Sequence, residues 1–305
     1  MAAKELRWIS LQARGKNDQI RELRDRNTIR ELLNTERNYS AYALGQLDTS
    51  LFEKTKWFHL TNEISKKTGL VMHSKGGLGE ATMTFGDPYA IAKILRLHPG
   101  PSFTYMSCQP KHLKAIQKTH HLFSKQKMLR LTVDRANFKP DHGNAPIKLS
   151  GLDVHRINQL FGSEGRPTYY QATHINEGVY YGTINQGRLT AIAGTHIVSK
   201  EEQIAVVGNV YTLPRYRGQG LATAVTSSTT EELLKFCTNV VLTVDPKNTP
   251  ALAAYKHLGY LEEDTLIESN ARKHLGADLR ALGSRLRSRL QPKVNTMIFK
   301  GYDID

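Results

Sequence analysis

The sequence predicts an α/β (α+β) fold: a mixed, mostly antiparallel sheet with flanking helices, in two such domains. Three observations carry that expectation. The chain has 305 residues, about twice a typical domain of ~150, so two domains are expected. Short β-branched and apolar runs alternate with helix-period segments in both halves. In the second half, three strand-like runs follow one another across tight polar connections, as in an antiparallel meander. A single helix then separates two strands, a crossover that favours parallel pairing.

Taken in order, residues 1–16 read as a polar, basic arm or one edge strand near residues 6–11. Residues 18–47 are helical in pattern, and Thr28 with Glu31 matches a capping box. Residues 1–50 are therefore assigned as an N-terminal arm and helix. Strands follow at 60–64, 70–73 and 81–85, with Gly76-Gly77 in a loop. Asp87 as N-cap and Pro88 at the first helical position start a helix to about residue 97. A strand at 103–108, a helix at 110–123 and a strand at 128–133 complete an N-terminal α/β domain over residues 51–140. Pro140, Gly143, Asn144 and Pro146 make 137–146 the linker.

The second domain, residues 146–268, begins with a short strand at 147–149 and helices at 153–161 and 169–176. Strands at 179–184, 189–198 and 203–213 form the meander. A helix at 221–236, a strand at 240–244, a helix at 249–258 and a strand at 260–267 follow. Residues 269–305 read as a basic helical extension and a closing strand at 294–302. Leu275, Leu279, Leu282, Leu286 and Leu290 make one helical stripe, expected to pack on the body or on a partner subunit. The surrounding arginines leave engagement of RNA, DNA or an anionic membrane surface as the alternative.

Composition narrows the class. Lys and Arg outnumber Asp and Glu by 42 to 28, a net charge of +14, which favours a polyanionic ligand or surface without choosing one. No apolar run is long enough to span a membrane, and the N-terminus lacks the apolar core of a secretory signal. The two cysteines, Cys108 and Cys237, have no metal spacing, and adjacent His120 and His121 point apart on a helix. A cytoplasmic protein without a metal is expected, as a monomer or homodimer.

The stretch with most chemistry runs from Asn209 to Ala222. Pro214 ends the strand because it has no N–H for the ladder. Arg215, Arg217, Gly218 and Gly220 then lead into a helix at Leu221. A strand, a Gly-rich turn and a helix N-terminus present outward N–H groups and a partial positive charge. The guanidiniums add forked donors. On these grounds alone the element should hold a di- or polyphosphate.

Thr212-Leu-Pro-Arg-Tyr-Arg-Gly-Gln-Gly-Leu-Ala222 resembles the acetyl-coenzyme A motif of the GNAT superfamily of N-acetyltransferases. The signature Gln/Arg-x-x-Gly-x-Gly/Ala falls on Arg215, Gly218 and Gly220. A second block is similar too: residues 242–248, then Ala251, Ala254, Tyr255, Gly259 and Tyr260. The resemblance covers residues 147–264. It implies a GNAT-like acyl-CoA N-acyltransferase fold and an acetyl-CoA-dependent N-acetyltransferase, a transferase of the acyltransferase class with direct transfer to an amine-bearing acceptor. It further implies that the backbone of Tyr211, Thr212 and Leu213 binds pantetheine. Arg217, Gly218, Gln219, Gly220, Leu221, Ala222 and Thr223 would bind the pyrophosphate, and Asn248 and Ala251 would flank the coenzyme. Tyr255 would protonate the departing thiolate.

The chemistry accounts for these types. Attack on a thioester needs a neutral amine, the developing oxyanion needs a strand N–H, and a thiolate benefits from an O–H donor. Many members carry a carboxylate base on the signature strand, and residues 203–210 contain none. His196, on the preceding strand and expected to titrate near neutrality, is the first candidate, then Glu177 and Asp245, with a water chain an equal alternative. Beside these stand plainer readings: Tyr255 as a core aromatic, Asn248 as a helix cap, His196 as a packed side chain and Arg215 as a surface residue.

Residues 51–133 repeat the strand–helix alternation and suggest a degenerate GNAT-like half that shapes the acceptor cleft, with an unrelated α/β cap as the alternative. The turn Thr84-Phe-Gly-Asp-Pro-Tyr89 has one glycine, an acidic residue and no arginine, so it should repel a pyrophosphate. A shared strand order between the halves would distinguish the two. Other functional classes remain: a non-catalytic acyl-CoA-binding or sensing module, and a nucleic-acid-associated protein acting through the basic C-terminal helix.

Overall fold

The computed structural model describes residues 18–290, apart from 77–78, 142, 144 and 164–169 and the side chains of 284–290. The expected arm and the closing strand at 294–302 lie outside the described residues. The strands are β1 (Asp18–Leu23), β2 (Thr55–Asn62), β3 (Thr68–Ser74), β4 (Ala81–Gly86), β5 (Phe103–Cys108), β6 (His120–Asp134), β7 (Ile147–Lys148), β8 (Tyr181–Asn185), β9 (Arg188–Ser199), β10 (Ile204–Thr212), β11 (Asn239–Val244) and β12 (Leu261–Lys273). The helices are α1 (Arg26–Asn34), α2 (Ala41–Gly45), α3 (Thr49–Phe52), α4 (Pro88–Leu97), α5 (Leu113–Ile116), α6 (Val154–Gly162), α7 (Ala172–Glu177), α8 (Leu221–Leu234), α9 (Thr249–His257) and α10 (Ala277–Leu290).

All these strands join one sheet, in the order β1-β2-β3-β4-β5-β12-β6-β11-β10-β9-β8-β7. Each outer block is an antiparallel ribbon that ends in one parallel pair bridged by a helix. In the first half that pair is β4 and β5 around α4, and in the second it is β10 and β11 around α8. The two halves therefore share one strand order, as repeated halves should. The centre exchanges strands: β12 of the second half lies beside β5, and β6 of the first half lies beside β11. β6 and β12 pair antiparallel from Leu261↔Thr132 to Lys273↔His120. Each half therefore completes the other's sheet. β12 runs unbroken across residue 268 and α3 across residue 50.

Several elements differ from the sequence expectation because tertiary pairing overrides local pattern. Residues 18–23 are strand β1, paired along β2 from Asp18↔Asn62 to Leu23↔Trp57. The first helix is capped by Asp25, whose Oδ2 accepts from the Thr28 N–H at 2.8 Å and from Thr28 Oγ1 at 2.6 Å. Helix stops at Ile116 within the expected 110–123, since His120 onward is drawn into β6 by β12. At the other end, α10 rests on the body through buried Ala277 and Ala281. Leu275, Leu279 and Leu282 are exposed, so this part of the leucine stripe does not pack on the body, and the side chains of Leu286 and Leu290 lie outside the described residues.

The core divides between the sheet faces. One face buries Trp57, Met72, Val206, Val241 and Leu266 under α1 and α2, from which Ile29, Leu33 and Leu44 project. The opposite face of the second half buries Leu131, Val207, Leu242 and Tyr260 with Leu233 of α8 and Leu258, just past α9. Each such aliphatic side chain contributes about 1.5–3 kcal/mol on leaving water. Alternate residues of β6 consequently have different fates: Leu129, Leu131 and Val133 face α9, while Met128 and Arg130 face the side of α2.

Candidate functional site

Parallel pairing of β10 with β11 runs from Ile204↔Asn239 to Val207↔Leu242 and stops there. On its other edge, β10 pairs with β9, with register shifts between Val206 and Val207 and between Gly208 and Tyr211. Within the second shift Asn209 adopts φ +55°, a left-handed conformation that non-glycine residues seldom hold. The bulge turns β10 away from β11 and frees backbone polar groups on the facing edges.

Beyond β10, Pro214–Tyr216 forms one 3-10 turn, and Gly218 and Gly220 both take left-handed φ near +77° and +76°. A Cβ on Gly218 would meet nothing, so glycine is required there by conformation and not by crowding. Gly220 is the N-cap of α8 and has no side chain to cap it. The first-turn N–H groups of Leu221, Ala222 and Thr223 thus lack an intrahelical acceptor. Leu221 is buried against Val225, Ala191 and Ala193, which ties the helix start to β9. Arg217 is exposed and donates from Nε to the Thr212 carbonyl at 3.2 Å, while the Arg215 guanidinium lies 4.9 Å over the ring of half-buried Tyr216.

A cavity of about 1140 Å³ opens at the divergence. Gly208, Asn209 and Val210 line one wall, Val244, Asp245 and Asn248 the other, and Tyr255 of α9 closes it. The Tyr255 side chain is buried, its ring 6.0 Å from Tyr260, and its hydroxyl makes no hydrogen bond among the described residues. Burial pushes that hydroxyl up to about 12, so it stays protonated through the neutral range. Asn248 caps α9, its Oδ1 accepting from the Ala251 N–H at 3.3 Å, and it lines the cavity as well. Ala251 packs at the edge of the same core.

His196 stands directly over the bulge. A Cβ built on Gly208 would lie 2.0 Å from His196 Nε2, so only glycine leaves room for the ring. Its Nδ1 is buried with no partner among the described residues. Burial, reinforced by the Arg130 guanidinium, holds the imidazole down to about 4. The expectation that His196 titrates near neutrality is thereby overturned: the ring is neutral at pH 7.

The remaining candidates take these positions. Tyr211 and Thr212 pair with Ile192 and Ala191 of β9, and the Leu213 N–H donates to the Thr190 carbonyl at 2.9 Å. The Tyr211 ring sits 5.7 Å from Phe161 in a separate core. The β10 residues that line the cavity are Val206–Val210. Glu177 is exposed at the end of α7 and outside the cavity lining. Asp245 does line the cavity, with Oδ1 accepting from the Lys247 N–H at 2.8 Å. Sequence reading missed Met128 and Arg130 of β6, Glu268 of β12 and Tyr105 of β5, which extend the cavity toward the first half. The signal for Arg130 was present: a lone cation between Leu129 and Leu131 in a strand.

A diverging parallel pair, an uncapped Gly-rich helix start and a tyrosine helix closing the gap support acyl-coenzyme A-dependent acyltransferase activity. Residues 152–260 match the family model described as Acetyltransferase (GNAT) family, so this part of the chain is a GNAT-family domain. A GNAT-family structure from Novosphingobium aromaticivorans is similar at 20% identity and a TM-score of 0.51, covering 67% of this chain and 88% of its own. A Drosophila protein of known structure reaches a TM-score of 0.58 at 11% identity, over 83% of this chain and 98% of its own. A GCN5-related N-acetyltransferase from Sphaerobacter thermophilus gives 0.52 at 11%, over 85% and 96%. At these identities the likeness shows the fold, and its coverage takes in the first half with the second. No curated protein matches the sequence. Among the described residues no helix is long and apolar enough to cross a membrane, and no cluster of His, Cys, Asp and Glu is placed to hold a metal.

Proposed function

We propose that the protein is an acetyl-CoA-dependent N-acetyltransferase that moves acetyl directly from the thioester to an amine. One observation carries the reading: the break in β10–β11 pairing, the His196–Gly208 contact and the free Tyr255 hydroxyl meet in one cavity. The uncapped turn of α8 and Arg217 receive the pyrophosphate. The edge of β10 at Gly208–Val210 pairs with the pantetheine arm and offers an N–H to the oxyanion. Asn248 and Ala251 flank the arm from α9.

In the transfer, the amine nitrogen bonds to the thioester carbonyl carbon and the carbon–sulfur bond breaks. With a pKa of about 4, His196 cannot take a proton from a free ammonium, so the acceptor must arrive as a neutral amine. The imidazole instead receives a proton after the carbon–nitrogen bond forms, when that nitrogen is cationic and strongly acidic. Tyr255 gives its proton to the departing sulfur and recovers one through solvent. The products are an amide and the free thiol.

The first half does not offer a second donor site on this reading. Asp87 caps α4, Oδ1 accepting from the Tyr89 N–H at 2.7 Å, so a carboxylate already occupies the position an anion would take. That half instead shapes the acceptor side of the cavity. The free, buried Cys108 and Cys237 support a reducing, cytoplasmic setting. The test is acetyl-CoA binding by calorimetry together with turnover over an amine panel. Binding without any acetylated amine would instead favour a sensing module.

A further inference from the structure

Resting on that reading, we infer that the acceptor amine carries a carboxylate, which docks on Arg130 in the inner part of the same cavity. Arg130 lies on β6 between Thr243 of β11 and Asp264 of β12, and only 3% of it is exposed. Its Nε is buried without a hydrogen-bond partner, and the guanidinium forms no ion pair among the described residues. The nearest acidic groups are engaged elsewhere. Glu268 Oε2 accepts from the Tyr105 hydroxyl at 2.7 Å, and Asp264 accepts from Gln109 at 3.3 Å and from the Thr265 N–H at 2.7 Å.

Arginine stays protonated in proteins, and a buried charge with open donors is costly until an anion meets it. The donor has no use for this charge. Its phosphates belong at the α8 turn, and its pantetheine arm and acetyl group are neutral. What remains is the acceptor, which must share the cavity with His196 to reach the thioester. Arg130 and His196 both line that cavity, and the guanidinium is close enough to depress the imidazole. A carboxylate fits the fork of a guanidinium with two parallel hydrogen bonds. A phosphate dianion would leave excess negative charge beside Glu268 and Asp264. Tyr42 and Met128 also line the cavity and suit the short apolar link between the two ends of such an acceptor.

The experiment measures kcat/KM for glycine, β-alanine and γ-aminobutyrate, each against its carboxamide, with phosphoethanolamine as the phosphate counterpart of β-alanine. At least one free acid should exceed its amide by about 30- to 100-fold, the span of one charged hydrogen bond. Arg130→Gln should collapse that ratio to within about 3-fold, and Arg130→Lys, which keeps charge but loses the fork, should fall between. Melting curves and acetyl-CoA titration establish that each variant folds, and the wild-type comparison stands without them. Amides as good as acids, a preference that survives Arg130→Gln, or a preferred phosphate would each overturn the assignment. So would acetyl-CoA binding with no carboxylate-bearing amine acetylated, an outcome that leaves the donor site standing. Failure to bind acetyl-CoA would instead bring down the proposed function itself.

Discussion

The imidazole of His196 occupies the space that a side chain on Gly208 would fill, with Nε2 2.0 Å from the position of its Cβ. This contact fixes the base candidate to the point where β10 leaves β11. Gly208→Ala should therefore displace the ring and lower kcat by about 10- to 100-fold, the scale of one general-base contribution. Steady-state kinetics with a melting curve would separate this from a loss of folding. A fully active, folded variant would detach His196 from the chemistry.

Tyr255→Phe should lower kcat by a similar factor of about 10–100 while acetyl-CoA affinity stays within about 3-fold, because the role proposed for the hydroxyl is on the leaving sulfur. An unaltered rate would return Tyr255 to the core role that its burial and its contact with Tyr260 also suit.

At the turn, Arg217→Ala combined with Gly220→Asp should weaken acetyl-CoA binding by at least about 10-fold. One change removes a charged donor, and the other puts a carboxylate at the helix N-terminus where the phosphate belongs. Calorimetric titration reads this directly, and unchanged affinity would place the coenzyme elsewhere.

Acid should destabilise the fold before it protonates the carboxylates. His73, His120 and His196 are each held down to about 4, burial being the largest cause in every case. His73 is locked neutral between Thr82 Oγ1 at 2.9 Å and the His98 carbonyl at 3.1 Å, to which Nε2 donates. In the unfolded chain each imidazole returns to about 6.5. The unfolded state therefore binds more protons between those values. Stability from neutral burial is complete above about pH 6.5 and drains away as pH falls toward 4, by up to about 1.4 kcal/mol per pH unit for each histidine. Denaturant unfolding at descending pH should show that slope, and a flat profile would contradict the burial.

The second half should not fold alone. Its sheet is completed by β6, contributed by the first half between β11 and β12. A fragment of residues 146–290 leaves the β11 edge uncovered and should show no cooperative melt, whereas a cooperative, coenzyme-binding fragment would show that the exchange is dispensable.

Much of this was legible in the sequence, and the exceptions share a cause. The motif from Arg215 to Leu221 and the Asn248–Tyr255 block declare local geometry: left-handed glycines, a helix start and a cap all lie within a few residues of one another. The meander and the parallel crossover follow from element order. The exchange of β6 and β12 does not, because it depends on pairing between residues more than a hundred positions apart, such as Leu131 and Glu262. The same distance hid the inner cavity, where Arg130 from the first half meets His196 from the second. The bulge at Asn209 also escaped. It lies within the stretch of β10, Val206–Val210, that lines the cavity. Position and residue type single out His196, but its titration depends on burial and the Arg130 charge, which are properties of the folded state.

The most direct test is a crystal structure of the coenzyme A complex. The pyrophosphate should lie on the N–H groups of residues 218–223 beside Arg217, with the arm entering between β10 and β11. The sulfur should lie within hydrogen-bond reach of the Tyr255 hydroxyl and face the His196–Gly208 contact. Coenzyme bound at the β4–β5 pair, or along the surface with its sulfur outside the cavity, would contradict it.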